Sequence, residues 1–290
     1  MTSNISVSSS PQIYGIMQGR LSPPEDDRFQ SFPRKSWREE LPRAREADLD
    51  YIEWIYDDYG ASANPLTTDA GIEELISLKE HFGIATHAVC ADWFMDFPFL
   101  RCTEDERARR QRFLGALLRA ATRIDAHHLV LPLVDQASIR TEEEKRIVLD
   151  VLKEGLQTAE ATGVELHIEA DFNPQDFAAF LARIPHPLLK VNWDSGNSSG
   201  LGYIAHEEFA AYGDRIGSIH IKDRFRKLDG GVETRPLGQG SADFNDIFSS
   251  MRKIGYKSGI TLQVARGAPG DEVNFLREQL AFVRQRWEPA

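Results

Sequence analysis

Four polar residues close four short apolar runs: Glu169 in GVELHIEADF, Asp194 in LLKVNWDSGN, His220 in GSIHIKDR and Gln263 in GITLQVARG. Two carboxylates, an imidazole and a side-chain carbonyl make a donor set for one hard-to-borderline divalent cation. The fourth member limits the chemistry. A glutamine can ligate through its oxygen, but it cannot take up or release a proton.

If each run is a strand, alternation shows which way its residues point. Glu165, His167 and Glu169 share one face, as do Lys190, Asn192 and Asp194, then Ser218, His220 and Lys222, and finally Thr261 and Gln263. The opposite faces carry Leu166 and Ile168, Val191 and Trp193, Ile219 and Ile221, and Ile260 and Leu262, which suit contact with helices. All four strands therefore place a polar residue inward at the C-terminal end. His167, one layer below Glu169, reads as a hydrogen-bonding interior residue and not as a ligand.

Other polar residues fall at neighbouring strand ends. Glu53, His87 and Asp92 are candidates for acid/base work or substrate contact, with Asp171 behind them. Arg20, Lys222, Arg224 and Arg266 could orient an anionic group, arginine being suited to bidentate oxyanion contact. Trp93 and Phe94, in the stretch CADWFMDFPF, are expected as an aromatic lid.

The elements that must position these groups alternate along the whole chain. Strands are expected at Gln12–Met17, Tyr51–Ile55, Ala85–Cys90, His128–Pro132, Val164–Glu169, Leu188–Asp194, Gly217–Ile221 and Gly259–Gln263, each bounded by turn-forming residues. Helical patterns follow them. Val148, Val151, Leu152, Leu156 and Ala159 recur at helical spacing, and Thr103–Glu106 has the form of a helix start. Eight strand–helix units favour a single closed (β/α)8 TIM barrel in the α/β class over an open sheet. No G-x-G-x-x-G follows the first strand, so a dinucleotide fold gains nothing. Residues 1–11 read as a disordered leader and 12–290 as the barrel. The long connections, among them Gln18–Lys35 and Lys222–Asp243, fall after strands and put the elaboration on the C-terminal face.

Composition narrows the partners. A 41% hydrophobic and 27% charged chain is ordinary for a globular protein, and its net charge of −11 argues against a nonspecific nucleic-acid binder. No apolar run approaches the roughly 20 residues of a spanning helix. The two cysteines, Cys90 and Cys102, are expected as free thiols, and a cytoplasmic location is the default.

HIEADF, WDSGNSSG, HIKDR, PLGQGSADF and GITLQ together resemble the xylose-isomerase-like TIM barrels, in particular the sugar and sugar-phosphate isomerases and epimerases. The resemblance runs from YGIMQGRL to the last helix. It implies one divalent ion, Mn²⁺, Mg²⁺ or Co²⁺ with Zn²⁺ as a further option, held by Glu169, Asp194, His220 and Gln263. It implies a small carbohydrate substrate, isomerised or epimerised through an enediolate held by the metal. It also implies a glutamate pair working on the two sides of the substrate, and Gln263 breaks that pair. Glu169 alone can serve a one-base isomerisation; epimerisation, which works on two faces, loses more unless Glu53, His87 or Asp92 compensates. The alternatives are a dehydratase of the same fold and a metal- or sugar-binding protein with little turnover. A homo-oligomer is an open expectation.

Overall fold

The computed structural model describes residues 12–227 and 231–288, so the leader expected over 1–11 lies outside the described residues. Among the described residues ten strands are β1 (Tyr14–Met17), β2 (Tyr51–Ile55), β3 (Ala85–Cys90), β4 (His128–Leu133), β5 (Glu165–Ala170), β6 (Leu189–Asp194), β7 (Ile216–Ile221), β8 (Asp223–Arg226), β9 (Val232–Arg235) and β10 (Ile260–Leu262). Eight of them close a parallel barrel in the order β1-β10-β7-β6-β5-β4-β3-β2. The expected barrel is therefore the observed one. Strand ends move by one or two residues, and Gln263 sits just beyond β10.

The helices are α1 (Trp37–Glu46), α2 (Asp69–Phe82), α3 (Trp93–Asp96), α4 (Glu104–Arg123), α5 (Glu142–Thr162), α6 (Pro174–Ala182), α7 (Ser195–Leu201), α8 (Ala205–Tyr212), α9 (Phe244–Lys253) and α10 (Glu272–Trp287). Their starts follow from local chemistry. Thr103 and Glu106 form a reciprocal capping box on α4, and the Thr141 hydroxyl accepts from Glu144 N–H at the start of α5. The α5 stripe of Val148, Val151, Leu152, Leu156 and Ala159 is buried, each large side chain stabilising the fold by about 1.5–3 kcal/mol relative to exposure. Ile168, Val191, Ile219 and Leu262 belong to the same core.

One irregularity matters for the site. Val191 pairs with Ile216, but Asn192 pairs with Ser218, so β7 carries one extra residue, Gly217. Without that bulge Asp194 would lie opposite Ile219; with it, Asp194 lies opposite His220. A side chain at 217 would have nowhere to go, since a Cβ there would stand 2.5 Å from the His167 ring. The glycine is what lets β6 and β7 bring the two polar ends into register.

The connection expected as a loop over Lys222–Asp243 instead holds an antiparallel pair, β8 with β9, in register Asp223↔Arg235. Its segments, DRFR and VETR, are polar and mostly half-exposed or exposed, so they lack the apolar alternation that marks a strand in sequence.

Candidate active site

The mouth of the barrel above the C-terminal strand ends holds a cavity of about 450 Å³. Glu169, Asp92, Lys222 and Gln263 line it, and Phe29, Met95 and Val232 give it apolar walls. Glu169 belongs to a buried cluster in which one ligand atom each of Glu169, Asp194 and His220 lies within 4.8 Å of the others; of the three, Glu169 lines the cavity.

Each of these side chains is held so that one face remains for the site. Asp194 caps α7: its Oδ1 accepts from Gly196 and Asn197 N–H at 2.7 and 2.8 Å, leaving Oδ2 to receive Lys222 Nζ at 3.3 Å. Burial works against its charge, but Lys222, His220 and the capping amide of Asn197 outweigh it and hold the carboxyl below the usual range. Glu169 Oε2 accepts from Asn192 Nδ2 at 2.8 Å, and Oε1 accepts from Asn197 Nδ2. Burial first, and then the charge of Asp194, lift Glu169 to about 7. A nearby cation would offset both effects and favour the ionised form.

His220 is fully buried, with Nε2 2.9 Å from Glu53 Oε1 and Nδ1 3.8 Å from Glu169 Oε2. Burial opposes its protonation, but the Glu53 carboxylate, with help from Glu169 and Asp194, lifts it to about 9. Glu53 is itself fixed by Thr261 Oγ1, which donates to Oε2 at 2.9 Å. This is the carboxylate–histidine arrangement that leaves the other ring nitrogen free for a metal.

Lys222 is nearly buried, and its ammonium donates to both Asp194 Oδ2 and Gln263 Oε1, the latter at 3.0 Å. Its backbone is clamped by Ser195, whose Oγ donates to Lys222 O at 2.6 Å and accepts from Lys222 N–H at 2.8 Å. Gly196 makes room for its stem: a Cβ there would stand 2.6 Å from Lys222 Cγ. Next in the chain, Asp223 accepts from the N–H groups of Gly238, Gly240 and Ala242 at 2.8–3.1 Å. That contact explains why HIKD and PLGQGSAD occur together. The buried aspartate ties down the glycine loop that follows β9.

The donor set fits a divalent cation. Asp194 Oδ2 and His220 Nδ1 are the atoms left over once the capping amides and Glu53 are satisfied. The Lys222 ammonium already reaches both Asp194 Oδ2 and Gln263 Oε1, so these two oxygens can share one cation. Asn192 Nδ2, 3.1 Å from His220 Nδ1, is the neighbour that a ligand at that nitrogen would have to displace.

Several expected residues are placed elsewhere. Glu53 does not reach the cavity; it acts on the far nitrogen of His220. His87 lies toward the opposite end of the barrel, beside a second cavity of about 290 Å³ that His127, His128, Glu165 and His167 also line. Its ring packs on Tyr51 and His127 at centroid distances of 4.8 and 4.6 Å. Arg20 is buried with its donors on Val264 O, Phe29 O and Gln30 Oε1. Arg266 donates to Phe29 O and Ser22 O. Both arginines are spent on acceptors in the segments after β1 and β10, so of the four expected anion-orienting residues only Lys222 and Arg224 line the cavity. The aromatic lid is also corrected: Phe94 is in the core, Trp93 stacks on Phe97, and Met95 takes the place by the cavity. A helical turn over Trp93–Asp96 turns those rings inward. Asp92 does reach the cavity, as does Asp171. Gln30 and Asn197 carry no signal in the sequence, because both sit in irregular or short segments where alternation does not apply.

Among the described residues no helix is long and apolar enough to cross a membrane. Cys90 and Cys102 are free thiols.

Known proteins share this fold. L-ribulose-5-phosphate 3-epimerase UlaE of Salmonella paratyphi A is 23% identical over 229 residues, covering 76% of this chain and 79% of that protein. The structure of D-psicose 3-epimerase with D-tagatose from Clostridium cellulolyticum H10 superposes with a TM-score of 0.74 at 16% identity, covering 96% of this chain and 100% of the other. The IOLI protein with a bound zinc atom superposes with a TM-score of 0.77 at 18% identity, again covering 96% and 100%. The family model for xylose isomerase-like TIM barrels matches residues 41–286, most of the 290-residue chain, and the protein belongs to that family.

Proposed function

We propose that this protein is a divalent-metal-dependent isomerase or epimerase of a ketose, a sugar phosphate or a related polyhydroxy compound. The observation that carries the reading is the convergence of Glu169, Asp194 and His220 in one buried cluster, joined through Glu169 to the cavity that Lys222 and Gln263 also line. The names of the relatives point the same way: the curated epimerase acts on a pentulose phosphate, one structural neighbour holds a ketohexose and another holds zinc.

Glu169, Asp194 and His220 would hold the ion, with Gln263 Oε1 as the fourth donor. When bound, a divalent ion supplies Lewis-acid polarisation of the substrate carbonyl. The chain supplies the rest. Glu169, ionised beside the cation, takes the proton from the carbon next to the carbonyl to give an enediolate and then returns it to one of the two enediolate carbons. Asn192 and Asn197 keep its two oxygens in place during the transfer. Glu53 fixes the ring of His220, and Lys222 balances the charge of Asp194. Because Gln263 carries no transferable proton, Glu169 is the single proton-moving carboxylate among the four donors. The free thiols accord with a reducing, cytoplasmic setting.

A panel of ketoses and ketose phosphates, incubated with Mn²⁺, Mg²⁺, Co²⁺ or Zn²⁺, tests this reading through its products. An epimer or aldose is the expected result. A product lighter by one water would make the protein a dehydratase, and tight binding without product would make it a binding protein.

A further inference from the structure

Gln263 stands where a pair of proton-transferring carboxylates would need an acid, and its surroundings show why it is an amide. Its Oε1 accepts from Lys222 Nζ at 3.0 Å, and its Nε2 donates to Gln30 Oε1 at 2.9 Å. Gln30 Oε1 also accepts from Arg20 Nη2 at 3.1 Å, while Gln30 Nε2 donates to Asp92 Oδ2 at 2.8 Å. Asp92 Oδ1 in turn accepts from the Cys90 thiol.

The two ends of this chain fix its direction. A guanidinium has donors only, and Arg20 is buried with its Nε and Nη1 already on Val264 O and Phe29 O. An ionised carboxylate has acceptors only. Gln30 must therefore turn its oxygen toward Arg20 and its nitrogen toward Asp92. Residue 263 meets that oxygen and has to offer a donor. A glutamine does so and, in the same orientation, turns its own oxygen toward Lys222 and Asp194. An ionised glutamate would set two acceptors against each other in a buried place, where an unpaired polar group is costly.

We propose that Gln30 is a positioning residue that aims the Gln263 carbonyl oxygen into the site and excludes a carboxylate at position 263. On this account the glutamine is matched to the Arg20–Gln30–Asp92 chain and is not a degraded glutamate. The consequence for catalysis rests on the proposed function: proton transfer is confined to Glu169, and the segment after β1 enforces it.

A double-mutant cycle on metal-free protein tests the match, run at pH 8, above the value of about 6 to which burial lifts Asp92. Gln263→Glu should lower the denaturation midpoint, and the same change in a Gln30→Leu background should lower it by less than about half as much. The paired exchange Gln30→Glu/Asp92→Asn keeps the acceptor that residue 30 offers to Arg20 and Gln263, and the total charge, and reverses only the bond between residues 30 and 92. It should retain Mn²⁺ affinity within a few-fold, whereas Gln30→Leu should weaken it by about 10–100-fold. In the exchanged background Gln263→Glu should cost more than in the wild type, which keeps the test readable if Gln30→Leu does not fold. An equal cost of Gln263→Glu in every background would overturn the proposal. These readouts need no turnover, so an inactive wild-type protein would count against the proposed function and leave this result standing.

Discussion

Two buried histidines in one barrel are pushed in opposite directions. His220, at the C-terminal mouth, has Glu53 on one nitrogen and Glu169 near the other, and is raised to about 9. His128, at the opposite end, stacks on His167 with centroids 4.1 Å apart, and its Nε2 has no hydrogen-bond partner. Burial first, and then the neighbouring histidines, hold it well below its ordinary value. Depth does not separate them, since both are at most 4% exposed. What differs is the company. Carboxylates at the mouth make a place that attracts positive charge, while imidazoles packed on one another repel it. Surroundings that favour a cation are thus a property of one end of the barrel, although the sequence puts histidine at both.

The largest contrast should come from one strand. Glu169→Gln should reduce turnover by about 10²–10⁴-fold, the usual contribution of a general base. Glu165→Gln, on the same face of β5 but at the far end, should change it by less than about tenfold. Steady-state kinetics on the best ketose decides, and comparable losses in the two variants would erase the distinction between the ends.

Metal content gives the next contrast. His220→Ala should lose bound Mn²⁺, whereas His128→Ala should keep it, as read by elemental analysis after dialysis. Glu53→Gln should weaken Mn²⁺ binding by about 10–100-fold, the range seen when the partner of a ligating histidine is changed. An unaltered affinity in that variant would leave Glu53 as a packing residue only.

A smaller effect concerns acid stability. His87 is lowered to about 4, by burial and then by the charge of His127, and His128 is lowered as well. The native state resists protons that the unfolded chain accepts below about 6.5, so the stability tied to these groups is present above that pH. It is lost as pH falls from about 6.5 toward 4, at up to about 1.4 kcal/mol per pH unit for each group. His128→Phe keeps a ring in the stack and removes one titrating group, so denaturant unfolding at pH 7, 5.5 and 4.5 should show a shallower decline than the wild type. An equal slope in both would mean that His128 is protonated in the native state.

Much of the mouth was legible because strand alternation is strict. Glu169, Asp194 and His220 could be aimed inward from spacing alone, and the Gly217 bulge happened to preserve that parity between β6 and β7. Alternation says nothing about depth along the barrel, and for that reason the sequence does not show that His87 lies toward the opposite end. Arg20 and Arg266 misled for another reason. Sequence position shows a charge near the active face but not the backbone carbonyls that consume it, and here Phe29 O takes one donor from each. Gln30 was invisible on the same grounds, since its importance comes from which atoms Arg20 and Asp92 leave for it.

The central claim is that Glu169 moves a proton next to a substrate carbonyl at this mouth, and solvent exchange reads that step directly. The protein, loaded with Mn²⁺, is incubated in D₂O with the ketose and ketose-phosphate panel, and deuterium at each carbon is followed by NMR. The wild type should place deuterium on the carbon adjacent to the carbonyl of at least one compound, and Glu169→Gln should not. Deuterium appearing at the same rate in Glu169→Gln, or at no carbon of any compound in the wild type, would contradict the account.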